Sequence, residues 1–458
     1  MKRFSTATFA FFASFAMIFA AFAPSRAQEP DTTMPSGVRL RLVYQTEYRD
    51  RVAVQPFTGQ GLGRAQEEVH RIIRRDLDYS DRFEMLHTIP VALQEGTADY
   101  AAWNDLGVVY LVTGSMEGLD EGGYGLRLAL HDVVYGSVRE IQYFELPPLD
   151  DPDFRMAVHA TADEVVRWAT GEPGIAATRL VLTRLRADGR HELLVVDSDG
   201  ENLRRITEDE SIYSPIWSPD GGRVAFSATD YVESDRIVVR TMATGAEETI
   251  TERGLPAQTP AFAPDGGRLA VALWLDRGME IHDYDLDRDC CLRRLSRGSR
   301  IDMHPSYSPD GRRIVFQSDR LGNPQIFTMP ADGGDAVLIT PFELEGPGYY
   351  TSPEWSPRTS QVVFHGRSRG GVFQVMVANA DRPGGTVQQI TAEGRSEDPS
   401  WAPDGRHIVF SGVREDGMGL YVIDLVTGRI RPLVTGGRYR MPSWSPVLMD
   451  ASELVAAR

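Results

Sequence analysis

The chain has 458 residues, too many for one ordinary core and enough for two to four domains. With 42% hydrophobic and 25% charged residues, its composition is that of a globular protein. The formal net charge of −17 argues against nucleic acid as the main partner, since phosphate binding needs a basic surface, and fits a protein that meets other proteins or neutral ligands.

Lys2 and Arg3 give a positive start, residues 7–23 are an apolar run rich in Phe and Ala, and Ser25-Arg26-Ala27 follows with small residues flanking the arginine. This pattern predicts a secretory signal peptide over residues 1–27, cleaved before Gln28. The run is short for a membrane span, and no later stretch reaches the roughly 20 apolar residues a span needs. Cleavage removes Lys2, Arg3 and Arg26, so the mature chain is more acidic still. Its expected state is soluble, outside the cytoplasm.

Residues 28–172 read as an α/β domain. Residues 38–44 alternate like a strand, and residues 51–57 form a second one ended by Pro56. Gly59, Gly61 and Gly63 make a loop before a helix over residues 66–77. Their spacing is G-x-G-x-G, not the dinucleotide G-x-G-x-x-G, so a plain strand-to-helix turn is expected. A short buried strand is predicted at residues 108–113, then a hairpin around Tyr135-Gly136 and an amphipathic helix over residues 154–170. Gly171-Glu172-Pro173-Gly174 stops that helix and begins a linker.

A repeat fills residues 173–458. Pro215, Pro260, Pro305, Pro353, Pro399 and Pro442 recur at spacings of 45, 45, 48, 46 and 43 residues. Two positions after each stands an aromatic residue: Trp217, Phe262, Tyr307, Trp355, Trp401 and Trp444. Ser or Ala and then Pro follow, and four copies continue into Asp-Gly, at Asp220, Asp265, Asp310 and Asp404. Pro-Asp-Gly is turn chemistry, and the aromatic ring suits the space between neighbouring sheets. Three short β-rich runs follow each motif, which is the pattern of a propeller blade. The first copy lacks its first strand, and Pro442-Ser443-Trp444 is a first strand without a blade. Joined, these halves complete a closed six-bladed β-propeller with no open sheet edge. An open solenoid would want capping repeats instead.

The residues offer little catalytic chemistry. Gly114-Ser115-Met116-Glu117-Gly118 has the wrong spacing for a nucleophile elbow, and H-E-x-x-H is absent. His304 and His407 read as loop or surface histidines rather than metal ligands. Asp283, Asp285, Asp287 and Asp289 lack the features of an EF-hand loop and read as a solvated acidic turn, with weak calcium binding the alternative. Cys290 and Cys291 are neighbours with no C-x-x-C pattern, so two thiols or one vicinal bridge in a surface turn are expected, not a redox centre. No catalytic, cofactor or metal site is expected. A propeller lactonase, cyclase or peptidase-like enzyme, or a small-ligand or glycan sensor using the channel, is the competing reading.

The repeats, with the terminal Pro442-Ser443-Trp444-Ser445-Pro446, resemble those of the TolB family. So do Val52-Ala53-Val54-Gln55-Pro56-Phe57, Ala102-Trp103-Asn104-Asp105-Leu106-Gly107 and His159-Ala160-Thr161-Ala162-Asp163-Glu164-Val165 in the first domain. The resemblance implies a non-catalytic periplasmic component of the Tol-Pal system, acting in outer-membrane integrity and cell division. It implies binding to the lipoprotein Pal through one propeller face and to TolA through the mature N-terminus. Two departures stand out: the extra residues Gln28 to Gly37, and a fourth motif reading Ser356-Pro357-Arg358-Thr359.

The loops before each repeat proline should converge at one channel mouth: Tyr213, Ser214, Gln258, Thr259, Met303, His304, Thr351, Ser352, Glu397, Asp398, Arg440 and Met441. Varied residues on a fixed scaffold are how binding sites are built. The resemblance places Pal binding there. The chain is expected to be a monomer. The exported protein should begin at or near Gln28. Mass analysis of the envelope form tests this, and an intact segment 1–27 would contradict it.

Overall fold

Two apolar periodicities, near 3.6 in the helices and 2 in the strands, organise the N-terminal layer. The structure is a computed structural model that describes residues 48–455, apart from 121, 208–210, 230–234, 252–254, 276–277, 298–300, 342–347 and 368–370. The expected signal peptide, the strand expected at residues 38–44 and the extra residues Gln28 to Gly37 lie outside the described residues. The first elements are β1 (Arg51–Val54), α1 (Gly63–Tyr79), β2 (Glu84–Met85), α2 (Tyr100–Asp105), β3 (Tyr110–Gly118), β4 (Tyr124–Asp132), β5 (Ser137–Leu146) and α3 (Phe154–Thr170). They form a five-stranded sheet in the order β2-β1-β3-β4-β5, parallel around β1 and antiparallel from β3 to β5. Val69, Ile72, Ile73 and Leu77 of α1 and Met156, Ala160, Val165 and Trp168 of α3 share a core with Val52, Val54, Val112 and Leu128. On the other face Trp103 of α2 is buried among Ala53, Val108, Leu111 and Val133.

β3 runs further than the run at residues 108–113 suggests, and it carries Ser115 mid-strand rather than on an elbow. Gly114 permits this: a Cβ there would lie 2.6 Å from the Phe57 ring. The glycine loop is a strand-to-helix turn, as its spacing suggests.

After α3 the chain turns at Gly171, whose φ of 85° favours glycine, and enters the ring. β6 (Arg179–Leu185), β7 (His191–Asp197) and β8 (Arg204–Arg205) are three strands of a blade. Five complete blades follow, with inner strands Ser211–Trp217, Ala257–Phe262, Asp302–Tyr307, Tyr349–Trp355 and Arg395–Trp401. The closing strand Tyr439–Trp444 pairs antiparallel with β6 and completes the sixth blade. The fourth motif keeps the turn frame of the others: the Ser356 N–H donates to Gln361 O at 2.8 Å, as the Ser218 N–H does to Arg223 O at 2.9 Å.

A belt ties inner strands together. The backbone N–H of Trp217 donates to Ser443 Oγ, that of Trp355 to Ser306 Oγ, that of Trp401 to Glu354 Oε1 and that of Trp444 to Ser400 Oγ. Each acceptor is the residue just after the neighbouring blade's proline. Phe262 and Tyr307 face Ile216 and Ala261 at the same position, which offer no side-chain acceptor. Glu354 is the one carboxylate in the belt. Protein atoms around the channel shield it from bulk water, and this burial pushes it up to about 7.

The N-terminal layer and the propeller belong to one compact unit, held at three places. In the linker, Asp163 accepts the Ala176 and Ala177 N–H groups at 2.7 and 2.8 Å. Beyond the closing strand the chain straps across the layer: Ala451 joins its core, Leu448, Met449 and Leu454 pack on it, and Val455 bridges to Phe144 of the edge strand β5. The third attachment is an exchange of charges. Arg75 and Arg155 of the layer reach Asp199, and Arg155 reaches Asp197 at 3.1 Å. Arg429 of the propeller reaches Asp78 at 3.1 Å and Asp81 at 3.0 Å, and Arg406 donates to the Asp81 carbonyl at 3.1 Å. All these propeller groups lie at turns on the Pro-Asp-Gly side of blades five and six. The layer therefore sits on the turn face, and the pre-proline crossings lie on the opposite one.

Deleting residues 441–458 should remove ring closure and strap together, with loss of cooperative unfolding or aggregation; an unchanged melting temperature would contradict the shared blade. Stopping after Val447 keeps the ring and removes the strap, and should cost about 2–5 kcal/mol in the N-terminal layer alone. For Glu354, a folded value above the ordinary 4.5 means stability falls as pH rises from about 4.5 to 7. Glu354→Gln should raise the melting temperature at pH 8 by about 2–4 °C and leave it unchanged at pH 4. Equal shifts at both pH values would contradict this origin.

Candidate protein-binding site at the propeller channel

The six inner strands each carry a bulge at the repeat proline. Ladder pairing with the second strand shifts between Ala225 and Ser227, and at the matching place in every other blade. Proline has no N–H to give to a ladder, so it sits where pairing breaks. The residue before it absorbs the extra length with a left-handed backbone: φ is 47° at Ser214, 49° at Thr259, 51° at His304, 53° at Ser352, 49° at Asp398 and 49° at Met441. None is glycine, so each costs of order 1–2 kcal/mol, repeated around the ring.

This conformation turns backbone N–H groups toward neighbouring blades. His304 N–H donates to Thr259 Oγ1 at 3.1 Å, Met441 N–H to Asp398 Oδ2 at 3.2 Å and Ser214 N–H to Met441 Sδ at 3.3 Å. The ring surrounds one end of a channel of about 860 Å³ that is lined by the inner strands and by the prolines of the turns.

Tyr213, Ser214, Gln258, Thr259, Met303, His304, Ser352, Asp398 and Met441 line this channel. Thr351, Glu397 and Arg440 stand behind them. Thr351 donates to Gln317, and Glu397 is buried against Arg395 and Arg440. Glu397 is thus a buried, paired carboxylate and not a free surface charge. Burial would push Asp398 up, yet the Arg440 guanidinium at 2.5 Å holds it down to about 2. His304 is driven down to about 4 by burial, with His365 beside it adding to the effect. Burial also lowers His365, and Asp398, the one carboxylate among the six left-handed residues, is already paired with Arg440.

Several expectations need correction. His407 is not a surface histidine: it is fully buried, with Nδ1 2.7 Å from Asp404. Asp283 is no part of a solvated turn. It is buried and accepts the Tyr307 hydroxyl at 2.9 Å, because a tight inter-blade contact encloses it, while Asp287 and Asp289 are exposed. Cys290 and Cys291, by contrast, take one of the two expected states: they are bridged to each other, at the start of the outer strand Cys290–Arg294.

Two groups have ligand-type residues close together, Asp76-His159-Asp199 and Asp81-His407-Asp424. In both, arginines already neutralise the carboxylates: Arg75 and Arg155 at Asp199, Arg429 at Asp81, and Arg406 at Asp424. A dication would have to displace them, so the chemistry fits an ionic joint rather than a metal centre.

A family model described as the TolB beta propeller domain matches residues 166–448, and one described as the TolB amino-terminal domain matches residues 39–138. The Tol-Pal system protein TolB of Bordetella pertussis is 32% identical over 392 residues, covering 84% of this chain and 85% of its own. TolB from Acinetobacter baumannii superposes with a TM-score of 0.76 at 24% identity, over 87% of this chain and 97% of that one. Hydrazine synthase of Kuenenia stuttgartiensis shares the fold alone, with a TM-score of 0.50 at 14% identity over 60% of this chain and 47% of its own. The propeller by itself therefore does not decide chemistry. With both layers matched in order along one chain, this protein belongs to the TolB family, the propeller component of the Tol-Pal system.

Proposed function

We propose that the chain is a non-catalytic periplasmic protein that binds a Pal-like peptidoglycan-associated lipoprotein through the pre-proline face of its propeller. A TolA-like inner-membrane protein is its second partner, through the mature N-terminus. The role is support of outer-membrane integrity and cell division. One observation carries the choice of face: six non-glycine residues are held in a costly left-handed conformation around a single channel mouth. Such strain persists where the surrounding structure enforces it and clusters at functional sites. Two further points support it. The N-terminal layer occupies the turn face, and the mouth residues vary on a constant frame. A standard interface of about 1,200–2,000 Å² would involve several of these crossings.

The buried roles of Thr259, Glu397 and Asp398 make them poor probes. Met303 and Ser352 are half-exposed at the mouth. Met303→Arg and Ser352→Arg should each weaken binding of the soluble domain of the cell's own Pal-like lipoprotein by about tenfold or more, as measured by calorimetry, with melting unchanged. Asp287→Arg, exposed on the turn face, should bind as the parent does. The reverse pattern would place the partner on the wrong face here.

A further inference from the structure

Each of the two buried histidines between the N-terminal layer and the propeller is held from behind and aimed across the joint. His159, on α3, has Nδ1 2.7 Å from Asp76 of its own layer and Nε2 3.6 Å from Asp199 of the propeller. His407, at the start of a blade-five strand, has Nδ1 2.7 Å from Asp404 of its own blade and Nε2 3.4 Å from Asp81 of the layer. The arrangement is reciprocal: each part anchors one imidazole with its own carboxylate and presents the far nitrogen to a carboxylate of the other. Both rings are fully buried, and neither Nε2 has a hydrogen-bond acceptor in ideal reach.

We infer that His159 and His407 form a two-point latch that fixes the N-terminal layer on the turn face of blades five and six, and that can open without unfolding either part. The linker and strap would remain attached when it opens, as a hinge.

Electrostatics gives the latch a direction. Facing His159 are Asp76 and Arg75 of α1, Arg155 and Asp163 of α3, and Asp197 and Asp199 of the propeller. Facing His407 are Asp81 of the layer and Asp404, Arg406 and Asp424 of blade five, with Arg429 on Asp81. Burial alone would lower both imidazoles. Asp76 raises His159 above its ordinary value, and Asp404 raises His407 to about 9. With folded values above the unfolded 6.5, the contribution is complete below about pH 6.5. It is lost as pH rises through about 9 at His407. The arginine pairs that cross the same joint, at Asp197, Asp199, Asp78 and Asp81, keep their charge throughout that window, so opening loosens the joint and does not detach the layer.

The test uses the full mature chain with Tyr135→Cys and Leu321→Cys, two exposed positions, one on each part, carrying a fluorophore pair. Cys290 and Cys291 are bonded to each other and leave the added thiols as the labelling sites. Time-resolved energy transfer then reads the spread of distances between the two parts. At pH 7 the spread should be narrow, and it should widen by about twofold between pH 7 and pH 10, reversibly, with circular dichroism unchanged. His159→Gln with His407→Gln should be wide already at pH 7 and flat to pH 10. A parent that stays narrow to pH 10, or a double variant as narrow as the parent at pH 7, overturns the latch. If the double variant fails to fold, the reversible pH series on the parent still decides the matter.

Discussion

Pairing of the closing strand Tyr439–Trp444 with β6 is the interaction on which the rest of the structure depends. It is a pairing between the two ends of the ring, and loop closure over that length brings a large entropic cost that only a continuous ladder and a packed aromatic can offset. Trp444 supplies the aromatic, with its indole N–H on Thr178 Oγ1 at 2.8 Å. Once made, this pairing brings linker and strap out of the same blade on the same side. The N-terminal layer is then tethered twice at blade six, and it can meet only the turn face nearby. The Asp, Arg and His exchange at blades five and six follows from that placement.

The opposite face is shaped by another consequence of the repeat. Six prolines interrupt six ladders at one level, and the residue before each takes up the slack in a left-handed backbone. A ring closed by the shared sixth blade can hold that strain in place. The variable side chains at the mouth, and not the constant motif beside them, are what a partner would read. The same scaffold serves unrelated chemistry elsewhere, so the argument for binding rests on the mouth and on the family, not on the propeller alone.

Much of this was legible in the sequence because local chemistry encodes it. Pro and an aromatic two positions on mark each blade, and in four copies Asp-Gly follows. The two half-repeats announce the closure, and α3 has the bounds its periodicity suggests. The joint was not legible. Arg406 and Asp81 lie 325 residues apart, and no periodicity links them. For the same reason His407 looked like a loop residue, when its neighbour across the joint is what buries it. Asp283 was misread because alternation in a turn resembles exposure, whereas Tyr307 from the next blade covers it. The left-handed ring was also hidden, since Ser, Thr, His, Asp and Met share no side-chain signal for positive φ. The strap carries no local signal either, because its apolar residues, Leu448, Met449, Ala451 and Leu454, pack on a distant core.

The central claim is that the partner surface is the pre-proline mouth. Its most direct test is backbone hydrogen exchange of the mature chain with and without the soluble Pal-like domain. The account predicts slower exchange at the crossings around Ser214, His304, Ser352 and Met441, with the turns at Asp265 and Asp310 unaffected. Protection confined to those turns, or to the sheet of the N-terminal layer, would contradict it.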